Sequence, residues 1–136
     1  KRKVVEEGLL KGYFLSSYSA RRLGMKTTGN AGGAHNLIIK DSSISFNDLV
    51  KKMNKGIIIT ELLGHGLNMI TGDYSRGAAG LWVENGKVQF AVEEITIASN
   101  IKDMLQNIKA IATDRYTNSG KYTGSILIEG MTVGSN

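Results

Sequence analysis

The sequence has no cysteine, no proline and only two histidines, His35 and His65, in 136 residues. Without thiols it can form no disulfide, no thiolate nucleophile and no cysteine-bearing zinc site. A cysteine-free chain suits a reducing compartment, and the expected location is the cytoplasm. Two imidazoles are too few for an ordinary zinc-hydrolase centre built from this chain alone, so no metal site and no cofactor are expected within it. No run of about 18 apolar residues occurs, and no membrane partner is expected. The opening Lys1-Arg2-Lys3-Val4-Val5 has neither an initiator Met nor a signal-peptide stretch, which suggests a segment of a longer polypeptide.

What is present is ordinary for a globular protein: 41% hydrophobic and 21% charged residues. The length allows one domain over residues 1–136, burying roughly two-thirds of its unfolded surface. The net charge is +5, and its distribution matters more than its total. Lys1 to Lys3, Arg21-Arg22 and Lys51-Lys52 are short clusters separated by long neutral stretches, without interleaved aromatics. That pattern favours a solvated face over a phosphate-tracking groove, and nucleic acid is not an expected partner.

Seventeen glycines and repeated β-branched runs closed by Gly, Asn or Asp predict a strand-dominated α+β fold. The expectation is a mostly antiparallel sheet or barrel-like β structure with two to three short helices packed on it. Val4-Val5, a turn at Glu6-Glu7-Gly8 and Leu9 to Phe14 form a hairpin-like unit. A short helix from Ser16 to Leu23 stops at Gly24, a loop follows from Met25 to Ala34, and Leu37 to Ile39 is a strand. Ser45 and Asp48 start a helix that runs through Met53. Gly56 to Leu63 is nearly continuously apolar and is expected to be a central strand with both faces covered. Asn85-Gly86 between alternating residues marks a β-hairpin over Leu81 to Phe90, and Ile95 to Ala98 continues as strand. Ser99 or Asn100 caps a helix predicted from Ile101 to Ala112, with strands at Ser125 to Ile128 and Met131 to Val133 after it.

Few residues offer chemistry. Glu61 and His65 would share a face on a helix, but Ile57-Ile58-Ile59-Thr60 favours a strand and Gly64 and Gly66 bracket the histidine, which separates the two. His35 has no acidic neighbour in sequence. Ser75, His65 and Asp73 could in principle form a triad, yet Ser75 lacks a Gly-x-Ser-x-Gly elbow. Asp73 is expected instead to pair with Arg76 or to cap a turn. In Thr71 to Gly80, small residues permit close backbone approach while Asp73, Tyr74 and Arg76 offer polar contacts. This segment is a candidate peptide-binding edge, or else a tightly packed strand. Gly29-Asn30-Ala31-Gly32-Gly33 could wrap a phosphate but lacks the Lys-Ser/Thr ending of a P-loop.

Three blocks carry a family resemblance: Thr60 to Asn68, Thr71 to Gly86 and Val92 to Ala98 closely resemble the C-terminal domain of the TldD/PmbA family. Tyr18 to Gly24 and Thr28 to Gly33 are similar to the preceding block of that family, and Met131-Thr132-Val133 to its closing strand. The resemblance implies that residues 1–136 are the C-terminal domain of a cytosolic protein of roughly three times this length, whose N-terminal domain is absent here. It also implies a metallopeptidase formed by a TldD-type and a PmbA-type (TldE) subunit, with zinc held by the TldD-type subunit. That type draws one ligand from a cysteine in its C-terminal domain. The absence of cysteine here, including Tyr116 to Ser125, therefore resembles the PmbA type.

The implied activity of the complex is cleavage of unfolded or extended peptides, with this half shaping the substrate channel. No residue is assigned a catalytic role. Asn30, Glu61, His65, Asp73, Tyr74, Ser75 and Arg76 are the candidates for channel or interface. The implied partners are a TldD-type subunit, in a heterodimer or higher oligomer, and an extended peptide, with self-association left open. The older family name implies an alternative, a regulatory protein that modulates DNA gyrase.

Overall fold

The computed structural model describes residues 2–118 and 120–135. The order along the chain is β1 (Val5–Glu6), β2 (Leu9–Leu10), α1 (Ser17–Arg22), β3 (Leu37–Ile38), α2 (Phe46–Met53), β4 (Gly56–Leu63) and β5 (Asp73–Glu84). It continues with β6 (Lys87–Asn100), α3 (Ile101–Gln106), β7 (Ile108–Ile111), β8 (Lys121–Tyr122), β9 (Ile126–Ile128) and β10 (Thr132–Ser135). This is the strand-dominated α+β architecture expected from the sequence. No helix among the described residues is long and apolar enough to cross a membrane. The chain divides into two compact units: unit 1, Lys1–Ile39 with Tyr116–Tyr122, and unit 2, Lys40–Arg115 with Thr123–Asn136.

In unit 1, Glu7 and Gly8 take positive φ of 52° and 76°, the pair that a two-residue hairpin turn with the native strand twist needs. β1 and β2 pair antiparallel across it. The second strand ends at Leu10, short of the expected Phe14, because the chain turns inward to bury Leu15. The Leu15 carbonyl accepts from the amides of Thr28 at 3.1 Å and Asn30 at 3.3 Å, and from the hydroxyls of Thr27 and Thr28. The Leu15 amide donates to Thr28 Oγ1 at 2.7 Å. One residue thus anchors the glycine-rich loop beside the start of α1. Ser16 and Ser19 cap that helix reciprocally, each side chain satisfying the other's amide. Gly24, at φ 64°, follows its end as expected. β3 and β8 form a short parallel pair.

Unit 2 is built on a long hairpin. Asn85 and Gly86, at φ 54° and 68°, turn β5 into β6, strands of 12 and 14 residues that extend well beyond the predicted Leu81 to Phe90. The antiparallel sheet has the order β10-β6-β5-β4 and, among the described residues, stays open at both edges. β4 is therefore an edge strand, not the expected central one, and none of its residues is fully buried. An apolar run does not reveal how many neighbours a strand has. Here Ile57 and Ile59 pack on the buried cluster of Ala78, Ile95 and Ile97, while Leu62 and Leu63 are 40% and 51% exposed.

The helix predicted over Ile101 to Ala112 also needs correction. α3 ends at Gln106 with Asn107 as its cap, and Ile108–Ile111 becomes β7, paired with β9. Extended backbone brings Ala110 and Ala112 into a core with Leu49 and Leu127, and that burial outweighs a helical periodicity whose propensity term is small.

At Gly80 the strands approach so closely that an added Cβ would lie 2.1 Å from the Ile58 carbonyl oxygen. Alanine shortens the list of unfolded conformations, worth about 0.4–1 kcal/mol, but here it sets backbone against backbone. Gly80→Ala should cost about 2 kcal/mol net or more, read as a lower denaturant midpoint. An unchanged midpoint would refute the close approach.

α2 supplies a pH prediction. The Ser45 hydroxyl donates to the Asp48 carboxylate at 2.6 Å, the Asp48 amide donates back to Ser45 Oγ, and Lys51 Nζ stands 2.9 Å away. Chiefly through the Ser45 hydroxyl, then Lys51, the Asp48 carboxyl is held below the usual aspartate range. A carboxyl lowered in the fold contributes stability above its unfolded value and loses it as pH falls through the lower folded value. Asp48→Asn should therefore be less stable than the parent at pH 5, with the gap closing below about pH 4. Denaturant midpoints at the two ends of that range test this.

Candidate functional site

Five of the seven candidate residues lie in the β4–β5 connection or at the start of β5. The connection is rigid for reasons visible in its hydrogen bonds. The Gly66 carbonyl accepts the Ser75 amide at 2.7 Å, and Leu67 bridges Tyr74, so the strand pairing continues past the end of β4. A Cβ on Gly66 would fall 1.7 Å from the Ser75 carbonyl oxygen, which restricts that position to glycine. Beyond it Asn68 closes the tip: its Oδ1 accepts the amides of Ile70 and Thr71, its amide donates to the Asp73 carbonyl, and its carbonyl accepts the Gly72 amide. The tip presents Met69 and Ile70 to solvent, 85% and 96% exposed.

Asp73 lies at the base of this loop, where its carboxylate accepts from Thr71 Oγ1 at 2.7 Å and from Asn100 Nδ2 at 3.3 Å. Asn100 also donates to the Thr71 carbonyl. Asp73 is thus a turn-closing acceptor, one of the two roles expected of it. The other is not taken. Arg76 turns away and donates to the carbonyls of Leu62 at 3.1 Å and Leu63 at 3.4 Å, capping the end of β4. Tyr74 is half-buried against the Ala78, Ile95 and Ile97 cluster. Asp73 and Ser75 occupy one face of β5 and Tyr74 and Arg76 the other, by the alternation of strand side chains. Among the described residues no hydrogen bond links Ser75, His65 and Asp73.

Glu61 is exposed on the edge strand, just after a bulge between Ile59 and Glu61 that resets the alternation. As a result Ile57, Ile59 and Leu62 line one groove of about 560 Å³, together with Tyr74, Ile97, Met53, Met104, Leu127 and Met131. His65 is exposed between its two glycines. Asn30 belongs to unit 1, where its Nδ2 donates to the Gly33 carbonyl and its Oδ1 accepts from Arg2. It holds the glycine-rich loop closed. Asn68 and Thr71, which organise the loop, were not singled out for that role from the sequence, and Asn100 was expected only as the helix cap that it also is. Asn68 is legible as a turn former within the quoted block, whereas the reach of Asn100 to Thr71 and Asp73 spans 27 to 29 residues and carries no local signal.

In class, the chain is a strand-rich α+β sheet domain with one rigid polar loop and an open edge strand over an apolar groove. It belongs to the PmbA/TldA metallopeptidase family, matching the family's C-terminal domain over residues 1–135. It is 50% identical over 133 residues to the metalloprotease PmbA of Escherichia coli O157:H7, covering 98% of this chain and 30% of that protein. A PmbA homologue of Haemophilus influenzae is 46% identical over 136 residues, with 99% and 30% covered, whereas the TldD homologue of the same organism is 24% identical over 120 residues. A crystal structure from Thermotoga maritima, described as a modulator of a DNA gyrase, superposes with a TM-score of 0.86 at 37% identity, over 96% of this chain and 32% of that one. The chain spans about 30% of the length of the PmbA relatives.

The family name implies a metal, and the donors present do not fit one. Among the described residues no three His, Asp or Glu side chains gather into a ligand set. Glu61 and His65 are separated by the turn at Gly64, which takes a φ of 68°.

If Asn68 organises the loop, Asn68→Ala should cost about 1 kcal/mol, the scale of its lost side-chain hydrogen bonds. Amide exchange at Ile70 and Thr71 should accelerate while β6 stays protected. Uniform exchange across all three segments would contradict a local role.

Proposed function

We propose that this protein is the PmbA-type (TldE) side of a two-subunit cytoplasmic metallopeptidase that cleaves unfolded or extended peptides. On this reading its domain is structural and channel-forming, and zinc is supplied by a TldD-type partner. The observation that carries the reading is the outer edge of β4, unpaired among the described residues, which runs beside an apolar groove lined by its own Ile57, Ile59 and Leu62. An open edge offers main-chain donors and acceptors to any extended chain without reading its sequence, and side chains at alternate positions can enter a flanking groove. The ill-fitting donor set supports a non-catalytic role for this domain. The difference between 46% and 24% identity within one organism supports the PmbA side of the family.

On the same reading Glu61 and Leu62 face the substrate path, and Arg76 stiffens its end by holding the Leu62 and Leu63 carbonyls. The Asp73 loop with His65 and Ser75 forms its rim, and no side chain here transfers a proton. The description given to the Thermotoga relative favours a second reading, a regulator that binds a DNA topology enzyme. A regulator has no need of a partner's zinc.

The deciding experiment mixes this protein with a TldD-type subunit and follows zinc-dependent cleavage of an unfolded peptide. Cleavage should require both proteins and fall several-fold when Ile59→Lys places a charge in the groove. Full cleavage by the partner alone would reject the proposal, and inhibition of gyrase supercoiling by this protein alone would favour the regulator.

A further inference from the structure

The two units differ in charge. Unit 1 carries eight Lys and Arg against Glu6 and Glu7, a surplus of +6, while unit 2 carries nine against ten Asp and Glu, a balance of −1; together they make the +5 of the chain. In unit 2 four of the nine cations stand in ion pairs, Lys51 with Asp48, Lys55 with Glu84, Lys109 with Glu129 and Arg115 with Asp41, while in unit 1 Lys3 pairs with Glu6. The arginines of unit 1 meet carbonyls, hydroxyls and rings instead. Arg2 donates to the Tyr13 carbonyl and to Asn30 and lies over the Phe14 ring. Arg21 donates to the Ser17 carbonyl, and Arg22 lies on Tyr18. None of the three meets a carboxylate among the described residues.

These contacts position the guanidinium groups without neutralising them. The rings they rest on are themselves open to solvent, Tyr18 at 68% and Phe14 at 37%. Unit 1 holds five of the nine aromatic residues of the chain. It also holds eleven of the 21 exposed large hydrophobic residues among those described, Leu9, Leu10 and Leu23 included. Arginine, tyrosine and exposed aliphatics together are the composition of a protein interface centre. A nucleic-acid surface would be polar and basic without this much aliphatic area.

We propose that unit 1 docks an acidic protein face, apolar at its centre and ringed by Asp and Glu, and that this face belongs to the metal-bearing partner subunit. The identity of the occupant rests on the function proposed above; the charge and composition of the surface do not. A net charge of +6 draws such a face in over a Debye length and sets the orientation of encounter, while the aromatic and aliphatic residues supply the desolvated contact.

The test measures assembly of this protein with a TldD-type subunit in three forms: parent, Arg21→Glu/Arg22→Glu, and Lys51→Glu/Lys52→Glu. The last pair makes the same charge change on the last turn of α2 in unit 2. The parent complex should weaken at least tenfold between about 50 and 300 mM salt. The unit 1 reversal should weaken it by a similar factor at low salt, and the unit 2 reversal should leave it within about twofold. Arg21→Ala/Arg22→Ala, checked for parental circular dichroism, should fall between the parent and the reversal. A parent that forms no complex sinks both this proposal and the function it rests on. A complex indifferent to the unit 1 substitutions and to salt overturns this proposal alone, as does a reversal that spares the complex but abolishes binding of a 20-nucleotide single strand.

Discussion

The turn at Asn85 and Gly86 is the constraint to which the rest of unit 2 is referred. Both residues take positive φ, a conformation that costs most side chains about 1–2 kcal/mol and costs Asn and Gly far less. With the turn fixed, the register of β5 on β6 follows, and with the register, the face each side chain occupies. Ala78, Ile95 and Ile97 meet on one face of that ladder and make its core. β4 and β10 then attach to opposite sides of the pair. Two bulges in the ladder and one in β4 shift the alternation along the way, and Glu94 takes a positive φ beside one of them. Because of the bulge after Ile59, Leu62 shares the groove with Ile57 and Ile59 instead of facing away from it.

Local signals of this kind were legible in the sequence because their causes are local. The Asn-Gly turn, the serines at the starts of α1 and α2 and the glycine after α1 each act within four residues, and each stands where the pattern put it. The two largest failures, the place of β4 and the length of α3, both depended on distant partners. The apolar run of β4 was compatible with a central strand, and its edge position follows only from where the long hairpin accepts neighbours. Ile108 to Ile111 had helical spacing, but Ala110 is buried against Leu49 and Leu127, residues on other elements. The candidate site divides in the same way. Asp73 as a turn acceptor could be read from its neighbours, whereas the reach of Arg76 to the carbonyls ending β4, and of Asn100 to Thr71, exists only once β5 lies between β4 and β6.

Family membership sharpens what the missing cysteine means. On its own it excludes a class of ligand. Placed with the scattered His, Asp and Glu and the stronger identity to PmbA-named relatives, it is one of the observations on which the proposed non-catalytic role rests. The polar residues of the candidate site are spent on architecture: Asp73, Arg76 and Asn30 all satisfy backbone groups or close loops. Their polar atoms are therefore occupied in ways that a proton-transfer role would have to undo.

The distribution of charge follows the same logic of division. In unit 2 acids and bases interdigitate, and four ion pairs sit on its surface. Exposed pairs of that kind add little stability, about 0–1 kcal/mol each, but they leave a surface without strong preference for a charged partner. Unit 1 has only Glu6 and Glu7, the first paired with Lys3, and two of its arginines, Arg2 and Arg22, rest on rings. A surface that keeps its guanidinium groups ordered yet unneutralised has bound their side-chain freedom in advance, so less entropy is lost when a carboxylate arrives. Such preorganisation would be wasted on a face meant only for water. The sign and placement of that charge are properties of this chain, independent of which subunit supplies the acids in the proposed contact.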